Sequence, residues 1–180
     1  MENDNILSVK NLEVKFNLRG QVLTAIRGIS LDLYKGESLA IVGESGSGKS
    51  VFTKTFMGML DQNGSVTAGE ILYKGMDLAK FKSEKEWLRI RGKEIAMVFQ
   101  DPMTSLNPLK PVGKQIQEAL EMHQRLKGKA ARKRTIEILN DVGIPLPEMR
   151  YKQYPHEFSG GMRQRAVIAT AIACRPNILI

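Results

Sequence analysis

Residues 43 to 50, Gly43-Glu44-Ser45-Gly46-Ser47-Gly48-Lys49-Ser50, fit the spacing G-x-x-x-x-G-K-[ST] in full. The spacing has a mechanical reason. The glycines permit backbone conformations that turn successive N–H groups inward, around a β-phosphate. Lys49 brings a point charge to the β- and γ-phosphates, and the Ser50 hydroxyl can ligate Mg²⁺. The flanks suit such a loop. Leu39-Ala40-Ile41-Val42 is a short continuous apolar run, as expected of a strand buried on both faces, and a helix is expected from Lys49 to Leu60. The bland alternative is a glycine-rich turn between strand and helix. Many unrelated NTPases share this loop, so it indicates nucleotide binding and an α/β chain, and little more.

The remaining elements follow from periodicity and punctuation. Ile6 to Phe16 alternates loosely, Arg19-Gly20-Gln21 reads as a turn, Ile29 to Leu33 alternates cleanly, and Lys35-Gly36-Glu37 is a second turn. Gly64 to Gly75 reads as a turn-bounded edge strand with Gly69 to Tyr73 its best part. Ser83-Glu84-Lys85-Glu86 matches a capping box and predicts a short helix through Arg91. Ile95 to Phe99 reads as a second buried strand. Beyond Gln100, Pro102, Pro108 and Pro111 break the chain, and helical patterns follow at Val112–Leu126 and Ala130–Val142. Pro145, Pro147 and Pro155 end that stretch. The expected organisation is an α/β core over 1–100 and 158–180, with a helical sub-domain at 101–157.

Composition narrows the class. No apolar run approaches the ~20 residues of a membrane span, and the acidic start Met-Glu-Asn-Asp-Asn lacks the apolar core of a secretion signal. The single cysteine, Cys174, excludes an internal disulfide and reads as a small apolar residue in a helix. Part of the net charge of +8 comes from Arg125 to Arg134, six cations in ten residues with no acid. Without interleaved aromatics this run reads as a solvated helical face, and no nucleic-acid partner is expected. His123 and His156 have no carboxylate or cysteine at ligand spacing, and both read as solvated or packing residues.

A second anion-binding feature lies far downstream. In Phe158-Ser159-Gly160-Gly161-Met162-Arg163-Gln164-Arg165, Ser159 is a good helix N-cap, and the two glycines leave the first turn bare. Free N–H groups and the helix dipole there favour phosphate.

The loop at 43–50, Phe99-Gln100-Asp101-Pro102 and Ser159-Gly160-Gly161, in that order, resemble the ATP-binding subunits of ABC transporters, over essentially the whole chain. In that family these are the Walker A, Q-loop and signature motifs. Gln100 to Pro108 and Tyr154 to Arg165 are similar to the oligopeptide and dipeptide importer branch; nickel and glutathione importers share similar stretches. Met162 stands where the common signature has glutamine, which agrees with the peptide branch.

The resemblance implies a P-loop NTPase core of ABC type, with an antiparallel β sub-domain and a helical insert. It implies that Phe16 stacks on adenine, against the bland reading of a strand-end core residue. Gly43, Glu44, Ser45, Gly46, Ser47, Gly48, Lys49 and Ser50 would hold ATP, and Ser50 and Gln100 would serve its Mg²⁺. Gln100 would also contact the attacking water and signal nucleotide state to the membrane subunits. Ser159, Gly160 and Gly161 would bind the γ-phosphate of ATP held by the other subunit of a head-to-tail dimer.

The implied protein is an ATPase on the cytoplasmic face of the cell membrane. It would power two transmembrane permease subunits, with an extracellular binding protein setting specificity. Pro176 to Ile180 looks like the start of the Walker B strand, whose aspartate and glutamate would follow Ile180. The expectation is thus a chain truncated in its C-terminal part, which binds nucleotide weakly, hydrolyses it negligibly and leaves apolar sheet surface uncovered. A soluble ABC-type ATPase acting on ribosomes or nucleic acid, and a regulatory module that never hydrolyses ATP, are the rival readings.

Overall fold

The computed structural model describes residues 5–180, the side chains of 102 and 103 excepted; the acidic residues 1–4 lie outside the described residues. The chain forms two compact units, Met1–Trp87 and Leu88–Ile180.

The first unit is built on an antiparallel sheet. The β-branched and alternating stretches form β1 (Asn5–Leu18) and β2 (Gln21–Tyr34), joined at the expected Arg19-Gly20 turn. β3 (Gly64–Tyr73) and the two-residue β4 (Met76–Asp77) complete the order β2-β1-β3-β4. β4 pairs only with Leu72 and Tyr73, so most of β3 is the expected edge. One face of the sheet is the core, with Leu7, Val9, Leu12, Val14, Ile26, Ile71 and Tyr73 nearly inaccessible. Each such side chain contributes about 1.5–3 kcal/mol when removed from water.

α1 (Lys49–Thr55) buries Phe52 in the same unit, and Phe52 meets Phe56 edge to face at 5.0 Å. The helix ends five residues before Leu60. Gly58 adopts φ +57, and Met59 N–H donates back to Lys54 O at 3.0 Å, which closes the C-terminus. The Trp87 ring lies where a Cβ at Gly58 would sit. Trp87 closes α2 (Glu84–Trp87), which starts with the expected capping box. Ser83 N–H donates to Glu86 Oε2 at 2.8 Å, and Glu86 N–H to Ser83 Oγ at 3.3 Å. α2 stops at Trp87, short of Arg91.

The largest departure from the sequence reading is Leu39–Val42. These residues form no strand and are exposed, Val42 by 87%. At the end of β2 a turn closed by Glu37 N–H to Tyr34 O, 3.1 Å, leads the chain out of the antiparallel sheet. A strand buried on both faces takes its ladder from neighbours, and the sheet order of this unit contains no place for one.

The second unit is mostly helical. It holds β5 (Ile95–Ala96), α3 (Pro102–Ser105), α4 (Val112–His123), α5 (Gly128–Asp141), α6 (Pro147–Arg150), α7 (Gly160–Ile172) and β6 (Ile178–Leu179). β5 is shorter than the expected Ile95–Phe99: among the described residues its ladder is with β6, in parallel register Ile95↔Ile178 and Ala96↔Leu179, and Ile95 adds one isolated bridge to Arg91. One further bond, Val98 N–H to Ile180 O at 2.8 Å, extends the pairing. The apolar positions of α4 (Val112, Ile116, Leu120), Ile138 and Leu139 of α5, and Ala166, Val167 and Ala169 of α7 form one core with Ile144, Tyr151 and Phe158. The alanines of α7 allow close helix approach.

Candidate functional site

The loop at 43–50 is an exposed turn running directly into α1. Ser47 N–H donates to Glu44 O at 3.2 Å, and Phe52 N–H to Gly48 O at 2.8 Å. Gly48, the N-cap of α1, has φ +91. A Cβ there would lie 2.9 Å from Ile26 Cδ1 and 3.1 Å from Ala25 O, so glycine is required both by conformation and by the approach of β2. At Gly43 a Cβ would sit 2.7 Å from Ser47 Oγ, a contact that rotation of the serine side chain relieves. Lys49 Nζ donates to Gly43 O at 2.8 Å and Glu44 O at 2.7 Å. The ammonium is thereby pinned over the start of the loop, within the turn.

Phe16, half-buried near the end of β1, lies against Gly64 of β3, where a Cβ would come within 2.5 Å of its ring. Phe16 shares one cavity of about 500 Å³ with Gly46 to Val51 and with Leu23, Thr24, Ala25 and Arg27 of β2. The cavity lining thus includes both an aromatic ring and a lysine-bearing glycine loop. The β2 residues carry no motif and were missed in the sequence. Only the cross-strand register, Phe16↔Leu23 and Val14↔Ile26, places them there.

Gln100 and the Ser159 segment belong to the second unit. Gln100 is exposed in a bend between β5 and α3, and α3 neighbours α7. Ser159 caps α7 as expected, its Oγ accepting from Met162 N–H at 3.3 Å. Gly160 and Gly161 are exposed, and a Cβ on either would meet nothing within 4 Å. Packing within the chain therefore does not require glycine at either position. Arg163, not singled out in the sequence, fixes the approach to this helix start. Its Nε–H donates to Pro155 O at 2.9 Å and Phe158 O at 3.0 Å, orienting the peptide that leads into Ser159. The one available signal was a cation in the first turn of a helix, against the dipole.

The remaining polar candidates behave structurally. His156 is exposed and stacks on Tyr154, with ring centroids 5.7 Å apart. His123 packs against Gly92, and burial followed by the charge of Lys93 holds its pKa below the ordinary value. Burial raises the Cys174 thiol, whose Sγ donates to Ala119 O at 3.4 Å.

A family model described as ABC transporter matches residues 26–180. The chain belongs to the ABC transporter family. It is 54% identical over 99% of its length to the oligopeptide transport ATP-binding protein AmiE of Streptococcus pneumoniae, covering 50% of that protein. It is 55% identical over 98% of its length to the dipeptide transport ATP-binding protein DppD of Bacillus subtilis, covering 53% of it. The chain thus spans about half the length of the curated relatives it matches. Among solved structures, a dimeric ATP-binding cassette in a post-hydrolysis state with ADP and Pi superposes with a TM-score of 0.82. The two are 30% identical over 96% of this chain and 72% of the other. The fold is that of an ABC-type ATPase cassette, with its antiparallel β sub-domain and its helical part. Among the described residues no helix is long and apolar enough to cross a membrane.

Proposed function

We propose that this chain is the nucleotide-binding portion of an ATPase subunit that powers import of oligopeptides or dipeptides. The observation that carries the proposal is the cavity that joins Phe16 to the glycine loop, with Lys49 anchored at 2.8 and 2.7 Å on Gly43 O and Glu44 O. The names of the relatives described above support peptides as the transported class.

The donor set fits a nucleoside triphosphate with its Mg²⁺. The loop offers an ammonium, backbone N–H groups and the exposed Ser50 hydroxyl, and acidic side chains are absent from the cavity lining. Phe16 provides a π-face for adenine, Gly46 to Gly48 bring the backbone close to the phosphates, and Lys49 holds their outer charge. Mg²⁺ carried with the nucleotide would supply charge neutralisation at the phosphoryl oxygens. Ser50 and Gln100 are its proposed protein contacts.

Gly160 and Gly161 support a composite site. Two glycines in the first turn of a helix cost up to about 1 kcal/mol each against alanine, and nothing inside the chain needs them. A γ-phosphate held by a second, head-to-tail subunit does. In this reading ATP closes the dimer and hydrolysis reopens it. The helical sub-domain, 101–157, docks on two permease subunits at the cytoplasmic face of the membrane, with an extracellular binding protein choosing the cargo.

The test is uptake of labelled dipeptides and oligopeptides in cells lacking the whole subunit of which this chain is the proposed portion, complemented with that whole subunit as wild type or as Lys49→Ala. Wild type is expected to restore uptake and Lys49→Ala to leave it at background. Restored nickel or glutathione uptake with peptide uptake unchanged would transfer the protein to those cargoes. Full restoration by Lys49→Ala would refute the phosphate-loop assignment.

A further inference from the structure

The cationic run from Arg125 to Arg134 has no part in the nucleotide reading, and the structure gives it a definite form. Arg125 and Lys127 lie in the connection between α4 and α5; Lys129, Arg132, Lys133 and Arg134 lie in the first turns of α5. All but Arg134 are exposed. Arg134 pairs with Glu137 at 3.0 Å, and Arg132 lies over the Tyr151 ring, 5.3 Å from its centroid. Arg125, Lys127, Lys129 and Lys133 have no acidic partner among the described residues.

The arrangement works against the helix that carries it. α5 begins with Lys127 at its cap position, no side-chain cap and no acid in the first turn. Cations at that end oppose the helix dipole, and Lys129 and Lys133, one turn apart, repel each other. A helix selected for stability alone would carry acids there. A locally unfavourable choice repeated along one face points to a partner that gains from it.

We propose that this face docks on a surface of anionic lipid. The charge calls for an anionic partner, and the apolar neighbours select which kind. Met122, at the end of α4 beside the run, is 66% exposed, and Leu126 inside it is half-buried. Side chains of this type enter the headgroup region while lysines engage the phosphates. Binding to single-stranded nucleic acid would instead favour aromatic rings for stacking, and duplex binding is left to the test below. The nearby Tyr151 is buried, 5% exposed, and covered by Arg132. The inference goes beyond the nucleotide reading and does not depend on it.

The test is co-sedimentation of the purified protein with vesicles of phosphatidylcholine alone, or of phosphatidylcholine mixed with phosphatidylglycerol, without nucleotide. At least about tenfold more protein is expected on the anionic vesicles, and binding falls as added salt shortens the screening length. The triple variant Lys127→Glu, Lys129→Glu, Lys133→Glu is expected to lose about tenfold or more in vesicle binding. It should melt no lower than wild type, because acids suit that end of α5. Should it fail to fold, Lys127→Gln, Lys129→Gln, Lys133→Gln gives the same comparison with a smaller loss. Equal binding to neutral vesicles, undiminished binding by the folded variant, or tighter binding to duplex DNA or RNA at matched salt overturns the proposal.

Discussion

Asp77 shows how a single carboxylate holds a corner of the β sub-domain. Burial by itself would raise its pKa, but hydrogen bonding outweighs it and leaves the carboxyl below its ordinary value of 3.8. Lys80 Nζ pairs at 3.0 Å, and the N–H groups of Ile71 and Ala79 donate at 3.2 and 3.1 Å. Asp77→Ala strands two backbone donors and is expected to cost about 1–3 kcal/mol in a denaturant melt near neutral pH. A lowered folded pKa means stability that is present above the unfolded value and lost as pH falls through the folded one. The gap between wild type and Asp77→Ala should therefore be constant above about pH 5 and shrink below pH 3.8. A gap unchanged at pH 3 would contradict the assignment. At this scale contiguous chemistry was legible in the sequence and distributed chemistry was not. Gly43 to Ser50 could be read as one unit, because the contacts proposed for that loop come from adjacent residues. Leu23, Thr24, Ala25 and Arg27 reach the same cavity only through strand register, and Arg163 acts on carbonyls five and eight residues back.

Elements followed the sequence where local signals sufficed and departed where distant neighbours decided. The β1–β2 hairpin, the Ser83 capping box and the Ser159 N-cap are local, and each stands as expected. The end of α1 at Gly58 depends on Trp87, far along the chain, and the length of β5 depends on β6. Leu39–Val42 has the composition of a buried strand, yet no ladder in its unit takes it up. The same dependence gives α4 a testable weak point. Gly113 lies in its first turn, where alanine would gain at most about 1 kcal/mol of helix propensity. A Cβ there would fall on the Tyr151 ring and 2.6 Å from the Tyr151 carbonyl oxygen, which belongs to rigid backbone. Overpacking of this kind costs about 1–3 kcal/mol, so Gly113→Ala is expected to lower the denaturation midpoint despite the better helix former. An unchanged or raised midpoint would show that α4 and the segment at Tyr151 can slide apart freely.

For the molecule as a whole, the two units divide the labour that the nucleotide reading requires. The first carries the aromatic face and the glycine loop, and the second carries Gln100, the Ser159 helix start and the cationic face of α5. The family was legible because three short motifs stand in a fixed order along one chain, and the match over residues 26–180 agrees. What the sequence could not express is how bare Gly160 and Gly161 are, since their open surroundings emerge only in three dimensions. Residues 43 to 50 are proposed to bind the phosphates of ATP. Titration calorimetry of the purified protein with MgATP, beside Lys49→Ala, tests it most directly. Wild type is expected to show saturable one-site binding, weakened about ten- to hundredfold in the variant through loss of one charge-assisted contact. Equal affinity for the two proteins, or no heat of binding to a folded wild type, would contradict it.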